Sequence, residues 1–311
     1  MSTALLTHPD FAGHVTPPGH PERAARIEAV NEALTTPEFD LLVREAAPLA
    51  DEAEVLRAHP QGYLEALKAE IPAAGFAPLD PDTYLSPGSW RAARRAVGAV
   101  ERAIDMVLAG EVRNAFAALR PPGHHAEAGR AMGFCLVSTV AIGAKYALDR
   151  HGLSRVAVVD FDVHHGNGTQ DVLWNEPRAL YVSTHQFPLF PMTGRAEETG
   201  AQDNILNVPL APRTDGPRFR AEIERQVLPR LDAFAPELLL VSAGFDAHAA
   251  DPLANLALAT ADFAWVTERL CDVADTHCGG RLVSTLEGGY DLEALAASTA
   301  AHVRVLMERG A

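Results

Sequence analysis

The chain has 311 residues with ordinary shares of hydrophobic (48%) and charged (22%) side chains, and its formal net charge is −15. This acidity argues against nucleic-acid binding through a broad basic face, and no apolar run reaches the ~20 residues that a membrane helix needs. The start of the chain lacks the pattern of a secretory signal, and the three scattered cysteines, Cys135, Cys271 and Cys278, indicate reduced thiols. We therefore expect a cytoplasmic protein. Neither nucleic acid nor a membrane is expected as a partner.

Apolar strand-like runs alternate with amphipathic helix-like runs through most of the chain. In chain order, the predicted elements are a helix over 86–109, a strand over 114–119, a helix over 135–150, strands over 155–159, 179–183 and 205–208, a helix over 218–234, a strand over 238–242, a helix over 261–275, a strand over 281–285 and a helix over 291–307. Continuous apolar strands that alternate with helices predict an α/β fold whose mostly parallel sheet is covered by helices on both faces. No linker divides the chain, so we expect one domain over residues 1–311.

Five polar segments directly follow predicted strands. They span residues 120–134, 160–168, 183–200, 244–253 and 287–290. In open parallel sheets, ligands bind outside the carboxyl ends of the strands. We therefore expect these segments to converge on one pocket, although they are far apart in the sequence.

The most informative stretch is Val-Val-Asp-Phe-Asp-Val-His-His-Gly-Asn-Gly-Thr-Gln at 158–170. Asp160, Asp162 and His164 alternate, so in an extended chain they point to the same side. Burying these groups together without a cation is costly, and mixed carboxylate and imidazole ligation is typical of open catalytic metal sites. The alternative interpretation is a polar loop that merely follows a buried strand.

Two further motifs carry ionisable groups. Arg-Pro-Pro-Gly-His-His at 120–125 brings His124 and His125 into one loop, and histidine is the usual general acid–base group near neutral pH. Ser-Ala-Gly-Phe-Asp at 242–246 delivers the carboxylate of Asp246 at another strand end. The alternatives are a pair of simply exposed histidines and a helix-capping aspartate.

The last motif is Glu-Gly-Gly-Tyr at 287–290. Paired glycines let the backbone bend sharply and approach a ligand closely. Tyr290 is then well placed to donate a hydrogen bond to an oxyanion, although it could also be an ordinary packed aromatic.

Taken together, these motifs resemble the zinc-dependent histone deacetylase family, in its class II-like bacterial form. The resemblance implies a single-domain arginase/deacetylase-like α/β fold. The matching motifs are His-Pro-Glu-Arg at 20–23, Arg-Pro-Pro-Gly-His-His at 120–125, Gly-Phe-Cys at 133–135, Asp-Phe-Asp-Val-His-His-Gly-Asn-Gly-Thr-Gln at 160–170, Tyr-Val-Ser-Thr-His at 181–185, Ser-Ala-Gly-Phe-Asp at 242–246 and Glu-Gly-Gly-Tyr at 287–290.

The resemblance also implies two kinds of metal ion. The implied ligands of one catalytic zinc ion are Asp162, His164 and Asp246. The implied ligands of a potassium ion beside it are Asp160, Asp162, His164, Ser183 and Thr184. A second alkali-ion site near Leu173 and Asn204 is a weaker expectation.

Five residues match the family's catalytic positions. His125 would act as the base that activates water, with His124 beside it as electrostatic support. Asp160 would accept from His124, and Asn167 would stand behind His125. Tyr290 would donate to the tetrahedral oxyanion.

Six residues match the family's substrate tunnel and its surroundings. They are Gly133, Phe134, Phe190, Leu253, Asp82 and Arg26. An ordinary core aromatic is the alternative for Phe190, and a surface salt bridge is the alternative for Arg26. Met192 departs from a glycine common in the family, so the resemblance does not fix the shape of the tunnel near Phe190.

The resemblance implies hydrolysis of acetyl or other acyl groups from acyl-lysine or related N-acylated amines. Hydrolysis of acetylpolyamines or of other small amides or esters is the alternative. Leu253 weakens the polyamine alternative, because it stands where that branch tends to have an acidic gate. Asp80 or Asp82 could still supply the acidic charge. A degenerate homologue that only binds acyl-lysine is the non-enzymatic alternative. A binuclear arginase-like site would need further bridging carboxylates.

Overall fold

The computed structural model describes residues 2–311, and parallel strands form the central sheet of this part of the chain. In chain order the strands are β1 (Thr3–Thr7), β2 (Val43–Ala46), β3 (Ala77–Pro78), β4 (Tyr84–Leu85), β5 (Asn114–Ala117), β6 (Val156–Asp160), β7 (Ala179–Gln186), β8 (Ile205–Leu210), β9 (Leu238–Ala243) and β10 (Leu282–Leu286). Eight of them pair in the order β2-β1-β5-β10-β9-β6-β7-β8, and each pair is parallel. β3 and β4 form a small antiparallel hairpin.

Helices flank the sheet. They are α1 (Ala24–Ala33), α2 (Glu52–Val55), α3 (Gln61–Ala69), α4 (Ser89–Ala109), α5 (Thr139–Arg150), α6 (Asn167–Leu173), α7 (Gly216–Glu222), α8 (Leu228–Phe234), α9 (Thr260–His277) and α10 (Leu292–Gly310). One packed group contains α4 and α5, and another contains α1, α9 and α10. The predicted α/β architecture is therefore confirmed.

The element boundaries follow local chemistry. α4 is capped by Gly110, whose φ of 73° is the left-handed conformation that glycine adopts readily just after a helix. The helix predicted over 218–234 is present as α7 and α8, joined by a π-helical turn at Ile223–Val227. The helix predicted from residue 135 begins only at Thr139.

The strands of the central sheet carry its core. β5, β6, β7, β9 and β10 have only buried side chains, as expected for strands covered on both faces. The three cysteines are free and buried, and Cys278 lies just past the end of α9. Across residues 2–311, no helix combines the length and the apolarity that a membrane crossing requires.

Candidate active site

Five loops meet at the carboxyl edge of the sheet because the strands that precede them lie close together. Asp160 at the end of β6 is in register with Ser242 of β9 and Ser183 of β7. The loops enclose a cavity of about 230 Å³. Its lining residues are Asp82, His125, Gly133, Phe134, His164, Phe190, Leu253 and Tyr290. Each of the five predicted loops contributes to this lining, as the sequence predicted.

Two carboxylates and one imidazole converge beneath the cavity. Asp162, His164 and Asp246 are buried, and one potential ligand atom from each lies within 4.8 Å of the others. His164 Nδ1 is 3.2 Å from Asp162 Oδ1 and 3.1 Å from Asp246 Oδ2. The backbone N–H of Gly288 donates to Asp162 Oδ2 at 2.8 Å, and that of Val163 donates to Asp246 Oδ1 at 2.9 Å. These bonds orient both carboxylates toward one point.

The electrostatics of this cluster fit a cation. Burial, with the nearby charge of Asp162, raises the pKa of Asp246 to about 7. Although burial opposes it, the two carboxylates raise the pKa of His164 to about 10. Without a metal ion, these groups therefore hold protons, and a divalent cation would take the place of those protons. The mixed oxygen and nitrogen donors suit such an ion. A Cβ atom at Gly288 would collide with both carboxylates, so only glycine fits there.

A histidine pair stands beside this cluster. The ring centroids of His124 and His125 are 4.0 Å apart. His124 Nδ1 lies 3.0 Å from Asp160 Oδ2, and His125 Nδ1 lies 2.9 Å from Asn167 Oδ1. The amide oxygen of Asn167 only accepts, so His125 carries its proton on Nδ1 and leaves Nε2 as an acceptor.

The two histidines have opposite electrostatic environments. Although burial opposes it, Asp162 and Asp160 raise the pKa of His124 well above its usual range. Burial and the neighbouring His124 lower the pKa of His125 well below its usual range. One imidazole is thereby kept charged and the other neutral, and a pair of groups with separated pKa values is typical of acid–base sites.

Tyr290 is held from beneath by a buried arginine. The Arg26 guanidinium lies 4.9 Å from the centre of the Tyr290 ring and donates to the carbonyls of Glu287 at 2.5 Å and Gly289 at 2.6 Å. Arg26 is fully buried and also pairs with Glu22 at 3.1 Å. A surface salt bridge, the alternative for Arg26, is therefore wrong, and Arg26 does not line the cavity.

Aromatic rings wall the cavity. The ring centroid of Phe134 is 5.7 Å from that of Tyr290, and the Phe190 centroid is 5.2 Å from that of His125. Phe190 is 39% exposed, so it is not an ordinary core residue. Met192, two residues after Phe190, is exposed and has a φ of 69°, in the left-handed region.

A family model described as the histone deacetylase domain matches residues 20–306. The chain belongs to the histone deacetylase family. Membership makes it a hydrolase of the deacetylase and amidohydrolase group.

Relatives match over nearly the whole chain. The histone deacetylase-like amidohydrolase of Pseudomonas aeruginosa is 42% identical over 297 residues, which are 92% of this chain and 77% of the relative. A protein of Synechocystis sp. is 42% identical over 308 residues, covering 98% of this chain and 99% of the relative. The crystal structure of the HDA15 HD domain superposes with a TM-score of 0.93 at 33% identity, over 99% of this chain and 89% of that one.

The two expected alkali-ion sites of this histone deacetylase family member differ. At the first, Ser183 Oγ lies 2.9 Å from His185 Nδ1, and the buried Thr184 hydroxyl has no hydrogen-bond partner among residues 2–311. At the second, the Asn204 amide lies among backbone carbonyls, and an ion there stays a prediction. The amide nitrogen donates to a group of carbonyls, those of Leu173 at 2.9 Å, Glu176 at 3.1 Å and Ala179 at 3.2 Å.

Sequence reasoning missed two buried carboxylates at this deacetylase site. Glu287 accepts from the backbone N–H of Gly123 at 2.7 Å and of His124 at 3.1 Å, which fixes the histidine loop. Asp251 accepts from the backbone N–H of Tyr290 at 2.7 Å. Glu287 stands in the Glu-Gly-Gly-Tyr motif and could have been found there, whereas Asp251 is marked only by its place before Pro252 in a predicted site loop.

Proposed function

We propose that this chain is a zinc-dependent amidohydrolase that removes acetyl or other acyl groups from acyl-lysine or related N-acylated amines. The observation that carries the proposal is the buried cluster of Asp162, His164 and Asp246 beneath a cavity lined by His125 and Tyr290. A metal-binding cluster, a neutral base and a hydrogen-bond donor in one cavity form the set that amide hydrolysis needs.

Asp162, His164 and Asp246 would hold the zinc ion and leave a coordination position open. When bound, the ion would polarise the scissile carbonyl and lower the pKa of a water molecule. We further propose a potassium ion beside this site, held by the ligands expected from the sequence. The buried hydroxyl of Thr184, which has no hydrogen-bond partner within residues 2–311, supports it, because a buried oxygen without a partner is costly.

The chain's own residues would move protons and stabilise charge. His125, neutral and with Nε2 free, would take the proton of the attacking water and later give it to the leaving amine. The charge on His124, balanced by Asp160, would stabilise negative charge that develops nearby. The Tyr290 phenol would donate to the oxyanion of the tetrahedral intermediate.

The cavity wall favours a narrow aliphatic stem, such as that of an acylated lysine, that carries no second ammonium group. Phe134 and Phe190 offer apolar contact, and Leu253 at the rim offers no Coulomb attraction to a distant ammonium group. We therefore expect acyl-lysine peptides to be preferred. Hydrolysis of acetylpolyamines remains the second candidate because one carboxylate, that of Asp82, also lines the cavity.

A substrate panel tests this choice. We expect kcat/KM on Nε-acetyl-lysine peptides to exceed that on acetylspermidine and acetylputrescine. Leu253→Glu should shift the ratio toward polyamines, since a carboxylate ~4 Å from an ammonium gains ~1–4 kcal/mol. Leu253→Gln, of similar shape but uncharged, is the matched control. Higher kcat/KM on acetylpolyamines in the unmodified protein would favour the second candidate.

Metal analysis tests the zinc cluster directly. Asp246→Ala should lose the bound zinc and nearly all hydrolysis, because it removes one of three converging donors. Asp262→Asn, a change in a buried carboxylate of α9 that accepts from the Ala259 N–H, should keep both. A fully active Asp246→Ala protein with a normal zinc content would contradict the assignment.

A further inference from the structure

One buried carboxylate joins two segments that both line the cavity. Asp251 Oδ2 accepts from the backbone N–H of Tyr290 at 2.7 Å, 39 positions away in the sequence. Asp251 Oδ1 accepts from the backbone N–H of Leu253 at 2.9 Å. Only 7% of the Asp251 surface is exposed. The same side chain is therefore bonded to a residue at the cavity rim and to the phenol-bearing residue within the cavity.

The backbone before Tyr290 needs such a restraint. Gly288 and Gly289 precede it, and Gly289 has a φ of 124°, a conformation that L side chains rarely adopt. Two glycines leave the chain more rotational freedom than any other pair. Hydrogen bonds to the neighbouring backbone groups therefore act together with the packing of the ring to direct the phenol.

Arg26 and Asp251 restrain this turn from two sides. Arg26 donates to the carbonyls of Glu287 and Gly289, and Asp251 accepts from the next N–H, that of Tyr290. Among residues 2–311, the side-chain hydrogen bonds of Arg26 go to Glu22, Glu287 and Gly289, whereas Asp251 also accepts from Leu253. Asp251 is thus the link between Leu253, where the body of a substrate would rest, and the oxyanion donor.

We propose that Asp251 is a positioning residue that couples the cavity rim at Leu253 to the orientation of the Tyr290 phenol. The inference rests on the proposed function, in which Tyr290 donates to the oxyanion. A phenol that is misdirected weakens an interaction made in the transition state, so loss of Asp251 lowers kcat more than it changes KM. A carboxylate that only capped its own loop would alter stability alone.

Steady-state kinetics on an acetyl-lysine peptide test the coupling. Asp251→Asn keeps one acceptor oxygen and Asp251→Ala keeps none, so kcat should fall by about tenfold in the first and further in the second, within the ~10²–10³ attributable to one oxyanion donor. KM and zinc content should change less than about twofold. Asp262→Asn, which also changes a buried carboxylate that accepts from a backbone N–H, is the control and should leave kcat unchanged.

A double-mutant cycle separates positioning from stability. In a Tyr290→Phe background, Asp251→Asn should lower kcat by less than about twofold, because the donor that it orients is already absent. Equal losses in both backgrounds, or an increase in KM with kcat unchanged, would overturn the proposal.

A measurement without turnover distinguishes this inference from the proposed function. With 3-fluorotyrosine at position 290, Asp251→Asn should shift or broaden the ¹⁹F resonance, whereas Asp262→Asn should not. A protein that hydrolyses none of the amides but shows this change would refute the proposed function and keep the coupling. An unchanged resonance in Asp251→Asn would refute the coupling whatever the activity.

Discussion

Tyr290 illustrates how single residues of the site are supported by groups far along the chain. Its ring rests on Arg26, and its backbone is bonded to Asp251. Burial raises the pKa of Tyr290 well above its usual range, so the phenol keeps its proton at neutral pH. A protonated, fixed phenol can donate to developing negative charge without reorganising during the reaction.

Tyr290→Phe should therefore lower kcat by ~10²–10³ while zinc content and thermal stability stay near those of the unmodified protein. Only the donor is removed, and the ring that packs on Arg26 remains. Kinetics on an acetyl-lysine peptide, with metal analysis of the same sample, measure this. Tyr146→Phe, which removes a phenol bonded to Asp105 elsewhere in the chain, should retain full activity. Full turnover in Tyr290→Phe would exclude the donor role.

At this scale, the sequence predicted the side chains that converge at the site, with Asp160 and Asn167 behind its histidines, but not the long-range contacts that support Tyr290. Asp162 and His164 alternate in one motif, so their proximity is local. Arg26 instead meets its carbonyl partners 261 and 263 positions away, and no local pattern encodes that distance. The complete burial of Arg26 was therefore not predicted from the sequence.

Among the elements, the turn that contains Gly133 and Phe134 lies directly against the ring of His125. Met132 and Cys135 exchange backbone hydrogen bonds at 3.2 and 3.0 Å around it. Gly133 and Phe134 have φ values of 55° and 68°, in the left-handed region. Cys135, the first residue of the helix predicted over 135–150, closes this turn instead, and the helix itself begins at Thr139.

Gly133→Ala tests the turn. A Cβ atom there would lie 2.5 Å from His125 Cδ2, and the positive φ adds strain for alanine. The imidazole must move, so we expect kcat to fall about tenfold or more, since small displacements of catalytic groups can cost ~10²-fold. Zinc content should not change. Gly129→Ala, where a Cβ atom meets nothing within 4 Å, is the matched control, and an equal effect of both changes would contradict the steric explanation.

Within the central sheet, the strands that the sequence did not predict are β1 and β2. The six predicted strands are continuous apolar runs, which is the pattern of a sheet covered on both faces. β2, with the sequence Val-Arg-Glu-Ala, lies at the sheet edge and has largely exposed side chains, so it lacks this pattern. β1 is a short run at the start of the chain, and its partner strands β2 and β5 begin 40 and 111 positions after it.

For the molecule as a whole, burial of histidines links stability to pH. His302 is fully buried, with the ring centroids of Phe116 and Phe245 within 6 Å of its own. Its Nδ1 lies 2.6 Å from Thr267 Oγ1, and its Nε2 lies 2.8 Å from Ser284 Oγ. Burial lowers the pKa of His302 to about 3. The imidazole is therefore neutral in the folded protein at any pH near neutrality.

This burial predicts a loss of stability in mild acid. Between the pKa of an unfolded histidine, ~6.5, and the folded pKa of about 3, the unfolded chain binds a proton that the folded chain does not. Stability then falls as the pH falls, by up to ~1.4 kcal/mol per pH unit for this one group.

His302→Gln removes the titrating group, so the free energy of unfolding of this variant in urea should decrease less between pH 7 and pH 5 than that of the unmodified protein. Groups at the metal cluster titrate alike in both proteins, so the difference isolates His302. His151→Gln, at an exposed position, should retain the full decrease, and an identical decrease in His302→Gln would show that His302 does not contribute to acid unfolding.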